Sequence, residues 1–427
     1  SAKHGFEISR KIARYQRANI LFATAAIVRN ELEDFALLIV NEAGKTIMQA
    51  RKEVTRCINT LELSGEEAKR ISGEIIPFDS FEGASGRQGY THVDPLGIIL
   101  AITPFNDPLN LVAHKLGPAV AAGNSVILKP SELAPLSSIK LVDAFVRGGL
   151  NKHIISVVIG DADIGRELVS ANDIRMVSFT GGMTTGEAIT KTAGLKKIAM
   201  DLGGNAPVII MADSDLDKAV KATVSGSFWA SGQNCIGTQR IFVEHSIFDK
   251  FLPAFVEQTK ALNVGDPMNE STDVGPMITP EQSMRIQSWV EDAIKQGAML
   301  LTGHQRNDNI YTPTILTKVP ATSRLCMKEV FAPVVILESF DCFDEVISWA
   351  NRVDYSLHAG IFTSDLETAL KAADSLEASG VMINDSSDFR FDAMPFGGYK
   401  RGSLGREGVR YAIQEMTQSK VICFNRE

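Results

Sequence analysis

From about residue 97 onward the chain alternates repeatedly between short runs rich in Val and Ile and longer amphipathic stretches. The first runs are Gly97-Ile98-Ile99-Leu100-Ala101-Ile102, Ser125-Val126-Ile127-Leu128, Ile155-Ser156-Val157-Val158-Ile159, Met176-Val177-Ser178-Phe179 and Ile198-Ala199-Met200. Runs this short and this apolar suit strands covered on both faces, and the stretches between them are long enough for crossover helices. The alternation therefore implies an α/β fold built on parallel sheets. A second series starts near Pro207 and continues through 239–243, 333–337, 360–363 and 380–383. The chain closes on a strand at 419–424. No internal repeat or low-complexity linker separates the two series, so the boundary is soft and falls near Gly204.

The first ninety residues follow another period. Ile8, Ile12, Tyr15, Ile20, Leu21, Ala23, Ile27 and Val28 recur roughly at helical spacing. Asn30 with Glu33 forms a candidate capping pair for a second helix ending near Gly44. Val54, Ile58 and Leu61 mark a third helix.

A chain of 427 residues can build two or three domains, each with its own core. A net charge of −8 without a basic stripe gives no reason to expect nucleic-acid binding. No stretch approaches the roughly 18 apolar residues of a spanning helix, so no membrane partner is expected. The start, Ser1-Ala2-Lys3-His4-Gly5-Phe6, lacks both the apolar core of a signal peptide and an initiator Met. Processing or truncation is the expected reason for the missing Met. Cys57, Cys235, Cys326, Cys342 and Cys423 are odd in number, widely spaced and without a CxxC pair. That pattern argues against a disulfide framework and against a metal site, and for a reducing, cytoplasmic setting.

One cysteine stands apart. Cys235 lies in Gly232-Gln233-Asn234-Cys235-Ile236-Gly237, where flanking glycines favour a tight turn that presents the thiol. A buried cysteine is otherwise an inert small hydrophobe. Asn106, in Thr103-Pro104-Phe105-Asn106, is either a turn or cap residue or an amide donor to an oxyanion. Asp201 ends a strand before Leu202-Gly203-Gly204 and either faces solvent or lies where open α/β sheets place ligands. Phe179-Thr180-Gly181-Gly182-Met183-Thr184-Thr185-Gly186 is a strand turning into a helix, whose first N–H groups suit a pyrophosphate. Its glycine spacing is not that of GxGxxG, and a plain βα turn fits it as well. Lys129-Pro130-Ser131-Glu132 follows another strand and is either a solvated loop or a ribose site. Segments 329–333, 395–400 and 402–408 are, locally, ordinary loops.

In order, these motifs closely resemble those of the aldehyde dehydrogenase superfamily along essentially the whole chain. The carriers are PFN at 104–106, GN at 123–124, KPSE at 129–132 and FTGG with its further glycine at Gly186. LGG at 202–204, GQxC ending at Cys235, ExFxP from Glu329 and PFGGxK from Pro395 complete the set. The resemblance implies two Rossmann-like α/β domains with parallel sheets and a small β oligomerisation element. Residues 1–79 and 96–204 would bind NAD, 205–411 would be catalytic, and 80–95 with 412–427 would form the oligomerisation hairpin and terminal strand.

The resemblance also implies roles. Cys235 would be the nucleophile, with Asn106 and the Cys235 N–H as oxyanion donors and Asp201 in the place of the general base. Lys129, Ser131 and Glu132 would hold the adenosine ribose, and Gly181 and Gly186 would mark the helix receiving the pyrophosphate. Leu202, Glu329 and Phe331 would contact the nicotinamide riboside. The implied reaction is NAD-dependent oxidation of an aldehyde through a Cys235 thiohemiacetal and thioester. Glu132 beside the ribose would repel a 2′-phosphate, which favours NAD without excluding NADP. A homodimer or homotetramer is implied.

Three departures stand out. The family's usual base is glutamate, and Asp201 is one methylene shorter, which leaves transfer of the acyl group to coenzyme A as an alternative outcome. A non-catalytic protein that keeps only NAD binding is the remote alternative. Phe105 replaces the usual Trp, and a few dozen N-terminal residues typical of the family do not precede Ser1. The segment from Ile383 to Arg390, with 108–110 and 113–115, is similar to the lactaldehyde, non-phosphorylating glyceraldehyde-3-phosphate and phosphonoacetaldehyde dehydrogenases. Asp107, His114, Asn234 and Arg390 are the implied substrate residues. Asp107 would repel an anion and Arg390 would compensate, so the expected substrate is a small hydroxylated aldehyde, with a phosphorylated, phosphono or sulfonated one second.

Overall fold

The computed structural model describes residues 1–426. Four helices come first: α1 Ala2–Ser9, α2 Arg14–Asn30, α3 Leu32–Ala43 and α4 Ile47–Arg70. Gly44 ends α3 in the left-handed region at φ 70, and Thr46 opens α4 with its hydroxyl accepting from the Gln49 N–H. The expected Asn30–Glu33 capping pair does not form. Asn30 is the last residue of α2, and only Glu31 separates the two helices. The Glu31 N–H bonds to Ile27 and its carbonyl accepts from Phe35, so the chain hardly leaves helical geometry at that junction. Glu33 pairs with Arg51 instead.

A three-stranded antiparallel sheet follows, made of β1 Ile75–Ile76, β2 Arg87–Pro95 and the terminal strand Thr417–Asn425. β2 is central, and it pairs with the terminal strand from Thr417↔Pro95 to Asn425↔Arg87. The expected hairpin at 80–95 is thus displaced: its strands are 75–76 and 87–95, and Ile75 and Ile76 belong to this sheet rather than to the helices before it. Helix Val409–Glu415 likewise does not extend the small sheet. Val409 and Ile413, with Met416 after it, are buried in the core around α4 and α5 Asn110–Ala122, because they carry the apolar face.

The apolar runs form two parallel sheets. In the first, β3 Ile98–Ile102, β4 Ser125–Lys129, β5 Ile155–Val157, β6 Ile174–Thr180 and β7 Lys197–Asp201 lie in the order β5-β4-β3-β6-β7. The second contains β8 Ala206–Ile210 and β9 Thr238–Glu244, flanked by Val334–Phe340, Thr314–Thr317 and Met299–Thr302 on one side and by His358–Phe362 and Gly380–Ile383 on the other. Only the Met299–Thr302 edge runs antiparallel. Ile99, Leu100, Ala101, Met176 and Val177 have no exposed surface, as strands covered on both faces require. The chain passes from one sheet to the other through Leu202-Gly203-Gly204-Asn205. Among the described residues no helix is long and apolar enough to cross a membrane, and no cluster of side chains could hold a metal.

Candidate active site

Every strand of the first sheet runs in the same direction, so the loops leaving β3, β4, β6 and β7 gather at one edge. The loop after β3 carries Asn106 and Asp107 to the head of α5. α5 has no side-chain cap of its own, which leaves its first N–H groups without partners. Glu53 of α4 accepts them instead, from Leu109 at 2.8 Å and Asn110 at 3.1 Å, and also accepts from Lys45 Nζ at 2.8 Å. Lys45 bonds to Asp107 as well, and Arg56 reaches Asp107 at 3.4 Å and Asp392 at 2.8 Å. The loop that presents Asn106 is therefore held by charges on and just before one helix, α4.

Cys235 follows a strained turn. Ala230, Ser231 and Gly232 all have positive φ, at 50, 56 and 68. A side chain at Gly232 would collide with the Ala332 carbonyl, so only glycine fits there. The turn is tied down by the Ser231 hydroxyl donating to Gly275 and the Ile278 N–H donating to Gln233. Asn234 is folded onto its own turn, its Oδ1 accepting from the Ile236 N–H at 3.3 Å. Burial pushes the Cys235 thiol up to about 12. Arg390 opposes that shift, while Glu329, Asp201 and Asp107 reinforce it.

Cys235, Asn106, Asp107, Asn234 and Arg390 all line one cleft of about 360 Å³. Its positive groups are Lys45, Lys52, Arg56 and Arg390, and its negative groups are Glu53, Asp107, Asp385 and Asp388. Arg390 is 6% exposed, bonds Glu407 at 3.0 Å and lies 3.7 Å over the Phe396 ring. His114 is not on the cleft. It is fully buried, 3.0 Å from Asp392, and burial holds its pKa below the usual imidazole range.

Asp201 is also off the cleft. It lines a separate small pocket of about 10 Å³ with His114, Lys115 and Glu407, space for one water at most. Neither carboxyl oxygen meets a donor. Burial, followed by the charge of Glu407, raises its pKa well above the usual aspartate value. Glu407 is the charged partner, held low against its burial by Lys115 at 2.9 Å and by Arg390.

Glu329 and Phe331 reach this edge from the second sheet. A side chain at Gly203 would collide with the Glu329 carboxyl, which accepts from the Gly204 N–H. Burial raises that carboxyl to about 7. Phe331, at φ 47, packs edge-on against Phe105 with ring centroids 5.9 Å apart.

The nucleotide-binding expectation can be tested on the loops after β4 and β6. Helix α6 Met183–Ala193 follows Gly182 with no side-chain cap, and nothing lies within 4 Å of the space above Gly182. Free N–H groups under open space are what a pyrophosphate needs. Gly186 lets Leu202 pack against the helix, since a side chain there would lie 2.7 Å from Leu202 Cδ2. Gly181 has room only for hydrogen beside the Phe179 ring. Buried Lys129 lies 3.6 Å from exposed Glu132, and the Ser131 hydroxyl accepts from the Leu133 N–H. These residues fit a dinucleotide.

Sequence reasoning missed Lys45, Glu53, Arg56, Lys115, Asp392 and Glu407. Lys45, Gln49, Lys52, Glu53 and Arg56 recur at helical spacing on or just before α4, a polar stripe beside the apolar one of Val54, Ile58 and Leu61. That doubled stripe was the available signal. Glu407 lay in a glycine-rich segment with no pattern of its own.

Residues 1–422 match the aldehyde dehydrogenase family, and the chain belongs to it. It is an NAD(P)-dependent oxidoreductase acting on aldehydes, with the expected family fold. Aspartate-semialdehyde dehydrogenase 1 of Pseudomonas canavaninivorans is 58% identical over 425 residues, covering 100% of this chain and 90% of the relative. A lactaldehyde dehydrogenase of Methanocaldococcus jannaschii is 44% identical over 427 residues, covering 98% of this chain and 90% of its own length. The crystal structure of a glyceraldehyde-3-phosphate dehydrogenase from the same organism, complexed with NADP, superposes with a TM-score of 0.95 at 43% identity. It covers 99% of this chain and 92% of that one.

Proposed function

We propose that the protein oxidises a small polar aldehyde at Cys235, with NAD as acceptor, and releases the acid through a thioester. The carrying observation is that the Cys235 thiol and Asn106 share one cleft. The thiolate adds to the carbonyl carbon, and the Asn106 amide and the Cys235 N–H stabilise the oxyanion of the thiohemiacetal. When bound, the nicotinamide accepts the hydride. Lys129, Ser131 and Glu132 hold the adenosine ribose, the start of α6 from Gly181 to Gly186 takes the pyrophosphate, and Leu202, Glu329 and Phe331 frame the nicotinamide riboside. Glu132 supports NAD over NADP by its charge.

The substrate reading shifts from the sequence expectation. Asp107 was expected to repel an anion, yet Lys45 and Arg56 already neutralise it. Balanced charge suits a hydroxylated head group. It equally suits a head group carrying charge, as in the names of the aspartate-semialdehyde and glyceraldehyde-3-phosphate relatives. The nucleotide-binding unit is assigned to 1–79 and 96–204 less the strand Ile75–Ile76, the catalytic unit to 205–411, and assembly to the sheet of Ile75–Ile76, Arg87–Pro95 and Thr417–Asn425. Exposed Val421 and Phe424 support a homodimer or homotetramer, and five free thiols support a cytoplasmic setting.

The test is NADH formation across lactaldehyde, glyceraldehyde 3-phosphate and aspartate semialdehyde, with and without coenzyme A, for wild type and Cys235→Ala. Turnover by Cys235→Ala would refute the assignment. A strict need for coenzyme A, with acyl-CoA as product, would replace hydrolysis by acyl transfer.

A further inference from the structure

The second sheet starts with an irregularity. β8 and β9 pair Ala206 with Thr238 and then Pro207 with Arg240, so Gln239 is skipped. Pro207 has no N–H to give the ladder at that point. An extra residue in one strand breaks the usual alternation of side chains and re-aims them. Here Gln239 and Arg240, neighbours in sequence, both reach the linker between the two sheets. Gln239 Nε2 donates to the Gly204 carbonyl at 3.3 Å, and its Oε1 accepts from the Val330 N–H at 2.9 Å. Arg240 Nε donates to Asn205 Oδ1 at 2.9 Å, and Nη2 to the Asn205 carbonyl at 2.8 Å. Asn205 Nδ2 carries the connection on, donating to the carbonyls of Leu325 at 3.1 Å and Lys328 at 2.6 Å, immediately before Glu329.

Arg240 is buried, and among the described residues no carboxylate pairs with it. Its remaining bonds go to the carbonyls of Trp349 at 2.7 Å and Ala350 at 2.9 Å, the last residues of helix Phe343–Ala350, whose intrahelical partners have run out. What the guanidinium adds over apolar packing is geometry. One planar fork fixes the linker, a helix end and, through Asn205, the loop of Glu329 and Phe331. The same clamp bears on the nucleophile. Cys235-Ile236-Gly237 leads directly into β9, and Gly204 packs on the Cys235 carbonyl, where an added side chain would lie 3.0 Å away.

We propose that Gln239, Arg240 and Asn205 are positioning residues for hydride transfer, holding the loop of Glu329 and Phe331 in register with Cys235. The inference rests on the reading that this loop frames the nicotinamide riboside. In the step they serve, the thiohemiacetal carbon loses a hydride to NAD⁺, giving NADH. A lone pair of the oxyanion becomes the C=O bond of the Cys235 thioester as the hydride leaves. Such a transfer falls steeply as its two carbons are moved apart, and the clamp fixes the loop on one side against the nucleophile on the other.

The test separates hydride transfer from the thiol's own reactivity. Acylation of Cys235 by 4-nitrophenyl acetate needs no cofactor and is read as a burst of nitrophenolate. Hydride transfer is read as a burst of NADH with lactaldehyde, glyceraldehyde 3-phosphate or aspartate semialdehyde, whichever turns over fastest, carrying hydrogen or deuterium at C1. Asn205→Asp keeps an oxygen for Arg240 but loses both donors to the loop, and Gln239→Leu keeps volume but loses both bonds. Each should retain the nitrophenolate burst within about threefold of wild type, while the NADH burst slows at least about tenfold and the isotope effect on kcat rises. Gln239→Glu, whose protonated form offers the same donor and acceptor, should fall between wild type and Gln239→Leu. Wild-type NADH bursts in both Asn205→Asp and Gln239→Leu would overturn the proposal. So would a nitrophenolate burst that falls as far as the NADH burst, since the residues would then merely hold the fold. Phe331→Ala probes the reading beneath it: unchanged NADH affinity by fluorescence and an unchanged NADH burst would remove the nicotinamide assignment of the loop.

Discussion

Glu53 takes two backbone N–H groups at the head of α5 and the ammonium of Lys45, all out of contact with water. Removing Glu53 leaves the Leu109 and Asn110 N–H groups buried without an acceptor, at a cost of about 1–3 kcal/mol each, while Lys45 keeps Asp107 as its partner. Glu53→Ala should therefore unfold at distinctly lower urea, and Asn106 should lose its register, lowering kcat more than it raises KM. Glu53→Gln, which keeps an acceptor for the N–H groups, should be the milder variant. A second buried group sets an acid limit. His358 titrates near 6.5 when unfolded but only near about 4 when folded, because burial disfavours its cation. Its stabilising contribution is complete above about pH 6.5 and is lost as pH falls towards 4, about 3 kcal/mol in all. Urea titrations of wild type and His358→Gln across that window should diverge if this is right. Cys235 and Asn106 were legible because each stands in a short motif bounded by glycine or proline. Lys45, Arg56 and Asp392 were not, because their meaning lies in partners from distant parts of the chain.

At the scale of elements, the apolar runs were legible since a strand covered on both faces leaves no polar face to mislead. Junctions were less so. The α2–α3 boundary keeps helical hydrogen bonds across Glu31, so a sequence resembling a cap caps nothing. The turn before Cys235 was foreseen as glycine-flanked, but not that Ala230 and Ser231 share its left-handed geometry. That strain persists because the surrounding bonds of Ser231 and Gln233 fix it. Gly232→Ala should force the turn away from Ala332 and reduce turnover at least tenfold by steady-state assay, since a displacement of about 1 Å can cost about a hundredfold in rate.

For the whole molecule, two parallel sheets meet at the four residues 202–205, and the cleft opens where their loops converge. The three-stranded sheet stands outside both, with the terminal strand at its edge and Val421 and Phe424 exposed at 60% and 55%. An unprotected apolar edge invites pairing with another chain. Val421→Lys with Phe424→Asp should shift sedimentation towards the monomer while leaving the fold intact by circular dichroism. An unchanged assembly would place the interface elsewhere.

Asp107 sits between Lys45 and Arg56 at the mouth of chemistry it does not perform. Replacing it by Asn, a change of one base in the codon, would leave a net positive charge facing the incoming aldehyde. Preference for acidic substrates is thus one mutational step away, with the cationic half of the binding site already in place. The cleft holds that preference in reserve, and a lineage could gain or surrender it without rebuilding the fold.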